Sequence, residues 1–273
     1  MLINYIVWNV DPEIFSIGPL SIRYYGVLWA LSFLLGYLLF EKFVKKEGLP
    51  EGYLDTLTIY MAVGTIAGAR LGHCLFYEPA HYLANPLDIL KIWEGGLASH
   101  GAAIGIILAL YLFSRKTKRP TIYILDRIAI TVALAGVLIR LGNLMNSEIY
   151  GIETNLPWGF IFKQDRQVVP MHPTQIYEAL AYLVGFVVLL FIYNKANSKP
   201  KPGLLFGLFL IFIFATRFLI EFIKQPQVDF EKDMILNMGQ WLSIPFVIVG
   251  VGFIVWSMLK RDNASEQKGY KRK

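Results

Sequence analysis

Residues 203–222 read GLLFGLFLIFIFATRFLIEF, almost unbroken apolar sequence until Arg217 and Glu221 near its end. The run is too long for a strand. As a helix rising 1.5 Å per residue it crosses the ~30 Å hydrocarbon core of a bilayer. Pro200 and Pro202 precede it and Pro226 follows, as boundaries should. A segment of this kind needs lipid on its outside, and that decides the fold class.

Working outward, the pattern recurs. Spans are predicted at roughly 20–40, 56–77, 97–114, 121–142, 174–193, 203–222 and 240–259. The third has the weakest apolar signal, opening on Gly and Ser residues with His100 near one end. Of the 273 residues, 55% are hydrophobic and only 17% charged, with a mean hydropathy of +0.49. Soluble domains carry roughly 25% charged residues. Unpaired backbone groups cannot face lipid, so the spans must be helices. The expectation is an all-α integral membrane protein with about seven transmembrane helices, a single polytopic domain over 1–260. A small extracytoplasmic cap is expected at about 143–173, where Gly, Pro and alternating apolar residues suggest a hairpin. A basic cytoplasmic tail follows at 261–273. Segment 78–96 is the other connection long enough to form structure.

Several function classes drop out. No metal-ligand spacing, phosphate-binding loop or Gly-x-Ser-x-Gly elbow is present, and His73 and His81 stand isolated. The single cysteine, Cys74, excludes an intrachain disulfide and reads as a small hydrophobe within a helix. The N-terminal stretch MLINYIVWNVDPEIF has no Lys or Arg, so it lacks the basic region of a removable signal peptide.

The net charge of +6 resides mostly in loops. Sixteen Lys and Arg residues fall in 41–53, 114–120, 194–202 and 260–273, against five on the opposite face (Lys91, Lys163, Arg166, Lys224 and Lys232). The positive-inside rule then predicts the N-terminus outside and the C-terminus in the cytoplasm. The remaining basic residues are Arg23, Arg70, Arg127, Arg140 and Arg217, in spans or at their ends. A charge at bilayer depth costs at least ~2.5–3.5 kcal/mol. An all-arginine set points to a planar, bidentate partner such as phosphate or carboxylate.

Three clusters could carry chemistry. Arg140-Leu-Gly-Asn-Leu-Met-Asn-Ser-Glu-Ile-Tyr-Gly151 ends the fourth span, with Arg140 and Asn143 on one helix face and Asn146 and Glu148 following. It reads either as a capped helix end or, because the arginine lies inward of that end, as an anion site. Glu94-Gly-Gly-Leu-Ala-Ser-His100-Gly101 combines close-packing glycines with a histidine, a residue type suited to proton transfer. A hydrogen-bonded core histidine is the plain alternative. Arg217, Glu221 and Lys224 recur at i, i+4 and i+7, on one face, where a simple intrahelical ion pair would also account for them. Tyr25 and Arg70 add polar groups at the ends of the first two spans, and tyrosine there often serves only as an interface anchor. His172-Pro-Thr-Gln175 also fits a turn capping the fifth span.

Taken together, these stretches resemble the phosphatidylglycerol–prolipoprotein diacylglyceryl transferase family, whose signature is similar to Gly-Arg-x-Gly-Asn-x-x-Asn-Gly-Glu-x-x-Gly. Here Arg140, Gly142, Asn143, Asn146, Glu148 and Gly151 match it. Further matching pieces are Tyr24-Tyr25-Gly26, Gly68-Ala-Arg70-Leu-Gly72, Gly95-Gly96 with His100-Gly101, His172-Pro-Thr-Gln175 with Tyr177-Glu178, Arg217 with Glu221 and Gln225-Pro226, and Met238-Gly-Gln240 with Leu242-Ser-Ile-Pro245. The likeness runs from about residue 10 to 258, with the motifs in order. Departures are Ile139 and Ser147 where glycine is usual, Ala102 and Ala103 after the histidine, and Ile152 and Lys224 at positions commonly basic and arginine.

The resemblance implies transfer of an sn-1,2-diacylglyceryl group from phosphatidylglycerol to the lipobox cysteine thiol of a prolipoprotein. A thioether forms and glycerol-1-phosphate leaves, the first step of bacterial lipoprotein maturation. It implies a multi-pass enzyme of the bacterial plasma membrane that needs no metal or cofactor and no nucleic acid partner. On this reading Arg140 and Arg217 take the phosphate, assisted by Asn143 and Asn146. His100 is the expected base or thiolate-stabilising group. Tyr25 orients the head group, Glu148 and Glu221 hold arginines or bind the glycerol, and Arg70 and Gly151 complete the substrate-binding set. The alternatives are a transporter or binding protein for an anionic solute, which would favour repeated halves with broken helices, and a structural scaffold, which leaves the buried arginines unexplained.

Overall fold

All seven apolar runs fold as helices in the computed structural model, which describes residues 5–18, 20–226, 231 and 234–259. The tail expected at 261–273 lies outside the described residues. In chain order the elements are β1 (Ile6–Trp8), β2 (Glu13–Ile17), β3 (Leu20–Arg23), α1 (Tyr24–Lys46), α2 (Tyr53–Phe76), the short α3 (Pro79–Ala84), α4 (Ser99–Thr117), α5 (Thr121–Met145), β4 (Phe160–Phe162), α6 (Thr174–Lys195), α7 (Leu204–Ile220) and α8 (Met238–Leu259). A 3-10 turn, Glu221–Ile223, extends α7. Among the described residues six helices are long and apolar enough to cross a membrane by length and composition: α1, α2, α5, α6, α8 and α7 with its extension. The chain is a multi-pass membrane protein. Helix α4 falls short because its ends, Ser99-His100-Gly101 and Ser114-Arg115-Lys116-Thr117, are polar.

The chain groups into two units, Met1–Phe40 with Asp126–Lys273, and Glu41–Leu125. In the second unit α2 and α4 form the most extensive helix pair of the protein. Gly64, Gly68 and Gly72 recur every fourth residue on α2, so they share one face, and they meet Gly101, Gly105 and Ala109 on α4. A Cβ added at Gly105 would lie 2.0 Å from the Gly64 carbonyl oxygen, and one at Gly101 2.2 Å from that of Gly68. The two backbones touch directly, which is how helices associate where lipid removes the hydrophobic drive. Cys74 is buried on α2, 1% exposed.

In the first unit α7 packs on α6 and α8. Its N-terminus is capped from a distant part of the chain. Asp126, fully buried on α5, accepts hydrogen bonds from the backbone N–H groups of Gly203 (2.8 Å) and Phe206 (2.9 Å). Those are donors a helix start leaves without partners. Next to it Arg127 donates to the Ser198 carbonyl at 3.1 Å. These two charges serve the connection into α7.

Two small two-stranded sheets accompany the helices among the described residues. Both lie outside the six helices long enough to span, where edge groups need not be sealed within one segment. β2 and β3 form an antiparallel hairpin, so α1 starts at Tyr24 rather than residue 20. β4 pairs in parallel with β1, Ile6 opposite Phe160 and Trp8 opposite Phe162. Where a hairpin is expected within 143–173 the segment pairs with itself only through isolated antiparallel bridges, and β4 in addition recruits the N-terminal segment. Antiparallel bridges Glu153–Met171 and Phe160–Met171 complete the segment. Leu144, Tyr150, Phe160, Phe162 and Met171 build its own small core, with Trp8 packed against it. Burial and the neighbouring Asp165 carboxylate push the Tyr150 hydroxyl up to about 12, so it remains a proton donor.

Candidate functional site

The site begins where α5 ends. Ser147 takes a left-handed conformation (φ 54°), its N–H bonding the Leu144 carbonyl at 3.0 Å while that of Glu148 reaches back to Asn143 at 3.1 Å. This paired pattern is a Schellman cap, whose left-handed position normally holds glycine. That explains why glycine is usual where Ser147 stands. Ile149 is also left-handed (φ 60°), a strained state for a β-branched residue. The reversal folds Glu148 back onto its own helix. Its Oε1 accepts from Asn143 Nδ2 at 2.7 Å and Asn146 Nδ2 at 3.4 Å, and Asn143 Oδ1 accepts from Arg140 at 3.2 Å.

The first turns of α6 lock this reversal. Gln175 Nε2 donates to the Glu148 carbonyl (2.7 Å) and Thr174 Oγ1 to that of Ile149 (2.9 Å). A turn further on stands Glu178, with 0% of its side chain exposed. Its Oε2 lies 2.8 Å from Arg140 Nε, close as a charge but off the line of a hydrogen bond. Its Oε1 accepts from Lys224 Nζ at 2.9 Å. Lys224 is 2% exposed and also reaches Glu221 Oε2 at 3.4 Å. Arg217 Nε stands 4.0 Å from that Glu221 oxygen. The result is a row of alternating charges, Arg140–Glu178–Lys224–Glu221–Arg217. Buried charges persist only when paired like this. Tyr182 feels both arginines, and Arg140 lies 6.0 Å from the centre of its ring.

Two glycines make room. A Cβ on Gly239 would fall 2.5 Å from the Glu221 carboxyl carbon, and one on Gly151 would fall 2.3 Å from the Ile223 carbonyl oxygen. Gly151 bridges to Lys224 in antiparallel fashion and so ties the segment after α5 to the end of α7. Gly142 plays a similar part for Tyr25, whose ring a Cβ there would meet at 2.8 Å. Nearby His172 stands 3.2 Å from the Tyr177 hydroxyl, and burial holds its imidazole below the usual histidine range.

The first unit therefore gathers Arg140, Asn143, Asn146, Glu148, Gly151, Arg217 and Glu221, with Tyr25 packed on the same helix. Arg70 and His100 belong to the second unit. His100 is exposed in the first turn of α4. Arg70, expected in the substrate-binding set, is buried. Its guanidinium donates to the backbone carbonyls of Asp88 (2.6 Å), Ile89 (2.9 Å), Gly95 (2.6 Å) and Gly96 (3.3 Å) and lies against the Tyr82 ring. It staples the loop that leads into α4.

Gln175 and Glu178 enter the sequence reading only as parts of a motif, without a role, and Tyr182 is not singled out; Lys224, placed both in the Arg217–Glu221 cluster and among the loop charges, is buried. Glu178 did carry a signal, an acid inside the apolar run 174–193 that demands a cation. Chemically, the row offers two guanidiniums, one tethered and one looser. The Arg217 side chain is 34% exposed and its buried Nε has no hydrogen-bond partner among the described residues. Asn146 Oδ1 and Ser147 Oγ are likewise buried without partners there. The guanidiniums suit an anion, and the Asn146 oxygen suits a hydroxyl donor.

The comparisons with known proteins agree among themselves. The family model for prolipoprotein diacylglyceryl transferase matches residues 12–256. A phosphatidylglycerol–prolipoprotein diacylglyceryl transferase of Tolumonas auensis is 49% identical over 251 residues, covering 92% of this chain and 96% of that protein. The protein of the same description from Chloroherpeton thalassium is 48% identical over 256 residues, 93% and 95% of the two chains. One from Cupriavidus pinatubonensis is 36% identical over 266 residues, 94% and 95%.

Proposed function

The chain belongs to the prolipoprotein diacylglyceryl transferase family, and on that premise we propose that it moves the sn-1,2-diacylglyceryl group of phosphatidylglycerol onto the lipobox cysteine of a prolipoprotein. The cysteine sulfur attacks the glyceryl carbon, a C–S bond forms, and the C–O bond to phosphate breaks. Glycerol-1-phosphate leaves with that electron pair. The phosphate goes from one negative charge toward two, so the residues that matter most are those that stabilise a growing anion.

The observation that carries the reading is the charge row ending in Arg140 and Arg217. Guanidiniums pair with phosphate oxygens bidentately, and in a place removed from water that pairing is worth far more than at a surface. Asn143 and Asn146 support Arg140 and the head group, and the unpartnered Asn146 oxygen fits a glycerol hydroxyl. Glu148 orients both amides. Tyr25 packs on the same helix at Gly142. His100 supplies the base for the thiol proton, a role resting on its chemistry and its sequence context, since the thiolate is the nucleophile. Cys74, buried in α2, takes no part. The loop charges favour an N-terminus outside and a C-terminus in the cytoplasm, with segment 143–173 on the outer face of the bacterial plasma membrane, where a translocated signal peptide arrives. Removing the buried Lys224 from the tally leaves that bias intact.

The test is reconstitution of the purified protein with phosphatidylglycerol and a lipobox peptide. Thioether-linked diacylglyceryl peptide by mass spectrometry is the expected product, and its absence with folded protein would overturn the reading. For topology, a tag within 155–168 should be reachable from outside intact cells and a reporter after Lys273 should not. The reverse pattern would put the site on the wrong leaflet.

A further inference from the structure

We propose that Lys224 is a positioning residue: it bridges Glu178 and Glu221 and thereby fixes the two arginines that take the lipid phosphate. This rests on the function proposed above and concerns a residue that function does not require to touch substrate. Two carboxylates, Glu178 and Glu221, are buried on neighbouring helices. Without a cation between them they would repel, and each would draw its arginine inward as the only compensating charge. The Lys224 ammonium contacts both, at 2.9 and 3.4 Å. With it in place the row carries three cations and two anions, a surplus of one positive charge. Without it the row is neutral, and both guanidiniums are fully committed to carboxylates.

The backbone shows the same purpose. Lys224 is held against Gly151 at a point where no side chain fits. The Ile152 N–H donates to the Ile223 carbonyl next to it at 2.8 Å. Gly239 leaves the space that Glu221 occupies. Three separate backbone features thus converge on the residues around one ammonium, at a place where a ~1 Å misplacement of the arginines can cost on the order of 10²-fold in rate. An arginine at this position would present more donors over a larger span. The lysine makes a compact bridge between two oxygens.

The experiment compares kcat and KM for phosphatidylglycerol in wild type, Lys224→Arg, Lys224→Met, Glu221→Gln and the double variant Lys224→Met/Glu221→Gln, with folding checked by thermal unfolding. Lys224→Met should lose on the order of 10²-fold in kcat with KM nearly unchanged, because misplaced arginines fail chiefly as phosphate charge grows. Lys224→Arg should retain most activity. The double variant removes one anion together with the cation, and should recover at least tenfold over Lys224→Met. A purely space-filling lysine gives no such recovery. A rise in KM with kcat intact would mean that Lys224 itself binds the head group and would overturn the proposal. So would a double variant that folds yet is no better than Lys224→Met. Failure of wild type to form product would instead count against the function.

Discussion

Substituting Gly105 by alanine tests how the second unit is held together. The added Cβ would stand 2.0 Å from the Gly64 carbonyl oxygen and 2.9 Å from the Gly64 carbonyl carbon and the Gly68 Cα. All three are backbone atoms, so no side chain can swing aside. Helices α2 and α4 must part until 2.0 Å becomes an ordinary contact of at least 3.4 Å. Overpacking of this kind costs about 1–3 kcal/mol. At 1.4 kcal/mol per factor of ten, the opened state of the pair should become roughly 5–150 times more populated. Cys74, the sole cysteine and buried in α2, reports that opening directly. Its rate of alkylation by a thiol-reactive dye, in detergent well below the melting temperature, should rise by that factor. Gly252→Ala in α8 is the control, since a Cβ there meets nothing within 4 Å, and it should label at the wild-type rate. A wild-type rate for Gly105→Ala, or equal acceleration in both variants, would refute backbone contact as what holds the pair.

Further outcomes are expected at Cys74, Arg140 and His100. Cys74→Ala should transfer the diacylglyceryl group at the wild-type rate, and a diacylglyceryl adduct on Cys74 that passes to peptide would contradict this. Arg140→Lys should keep part of the lipid binding and lose most turnover, because an ammonium cannot follow a spreading phosphate charge as a fork does. His100→Gln should lose ~10²–10⁴ in rate near neutrality and recover partly as pH rises from 6.5 to 9.5, since free thiolate increases toward the ordinary thiol pKa of about 8.5. Arg140→Gln should not recover, and equal recovery in both would remove His100 as the base.

The helices were legible in the sequence because lipid imposes a minimum apolar length that few other structures need. Local geometry was legible too: Arg140 and Asn143 share a face, and Arg217, Glu221 and Lys224 line another, as their spacing requires. What could not be read is pairing across distance. Glu178 is a lone acid until α5 and α7 are placed beside it. The Arg70 guanidinium looks free until the Asp88–Gly96 loop folds its carbonyls around it, and no periodicity announces a loop carbonyl as a partner. Lys224 follows the apolar run, where a basic residue usually meets water, and only the fold shows it enclosed. β1 and β4 pair over more than a hundred residues of intervening chain, a contact with no trace in either segment.

The remote cap on α7 has a consequence for how the protein is made. Asp126 reaches N–H groups 77 and 80 residues later in the chain. As the ribosome delivers α5, these two donors to its carboxylate have not yet been made, and α6 must be synthesised before they exist. The insertion machinery or the lipid head groups have to shelter that charge in the interval. Release of α5 into the bilayer is therefore expected to be coupled to the emergence of α7. Chains truncated after α6 should remain crosslinkable to the insertion channel through α5, whereas chains extended past Phe206 should let go; release of the shorter chains would show that α5 needs no such partner.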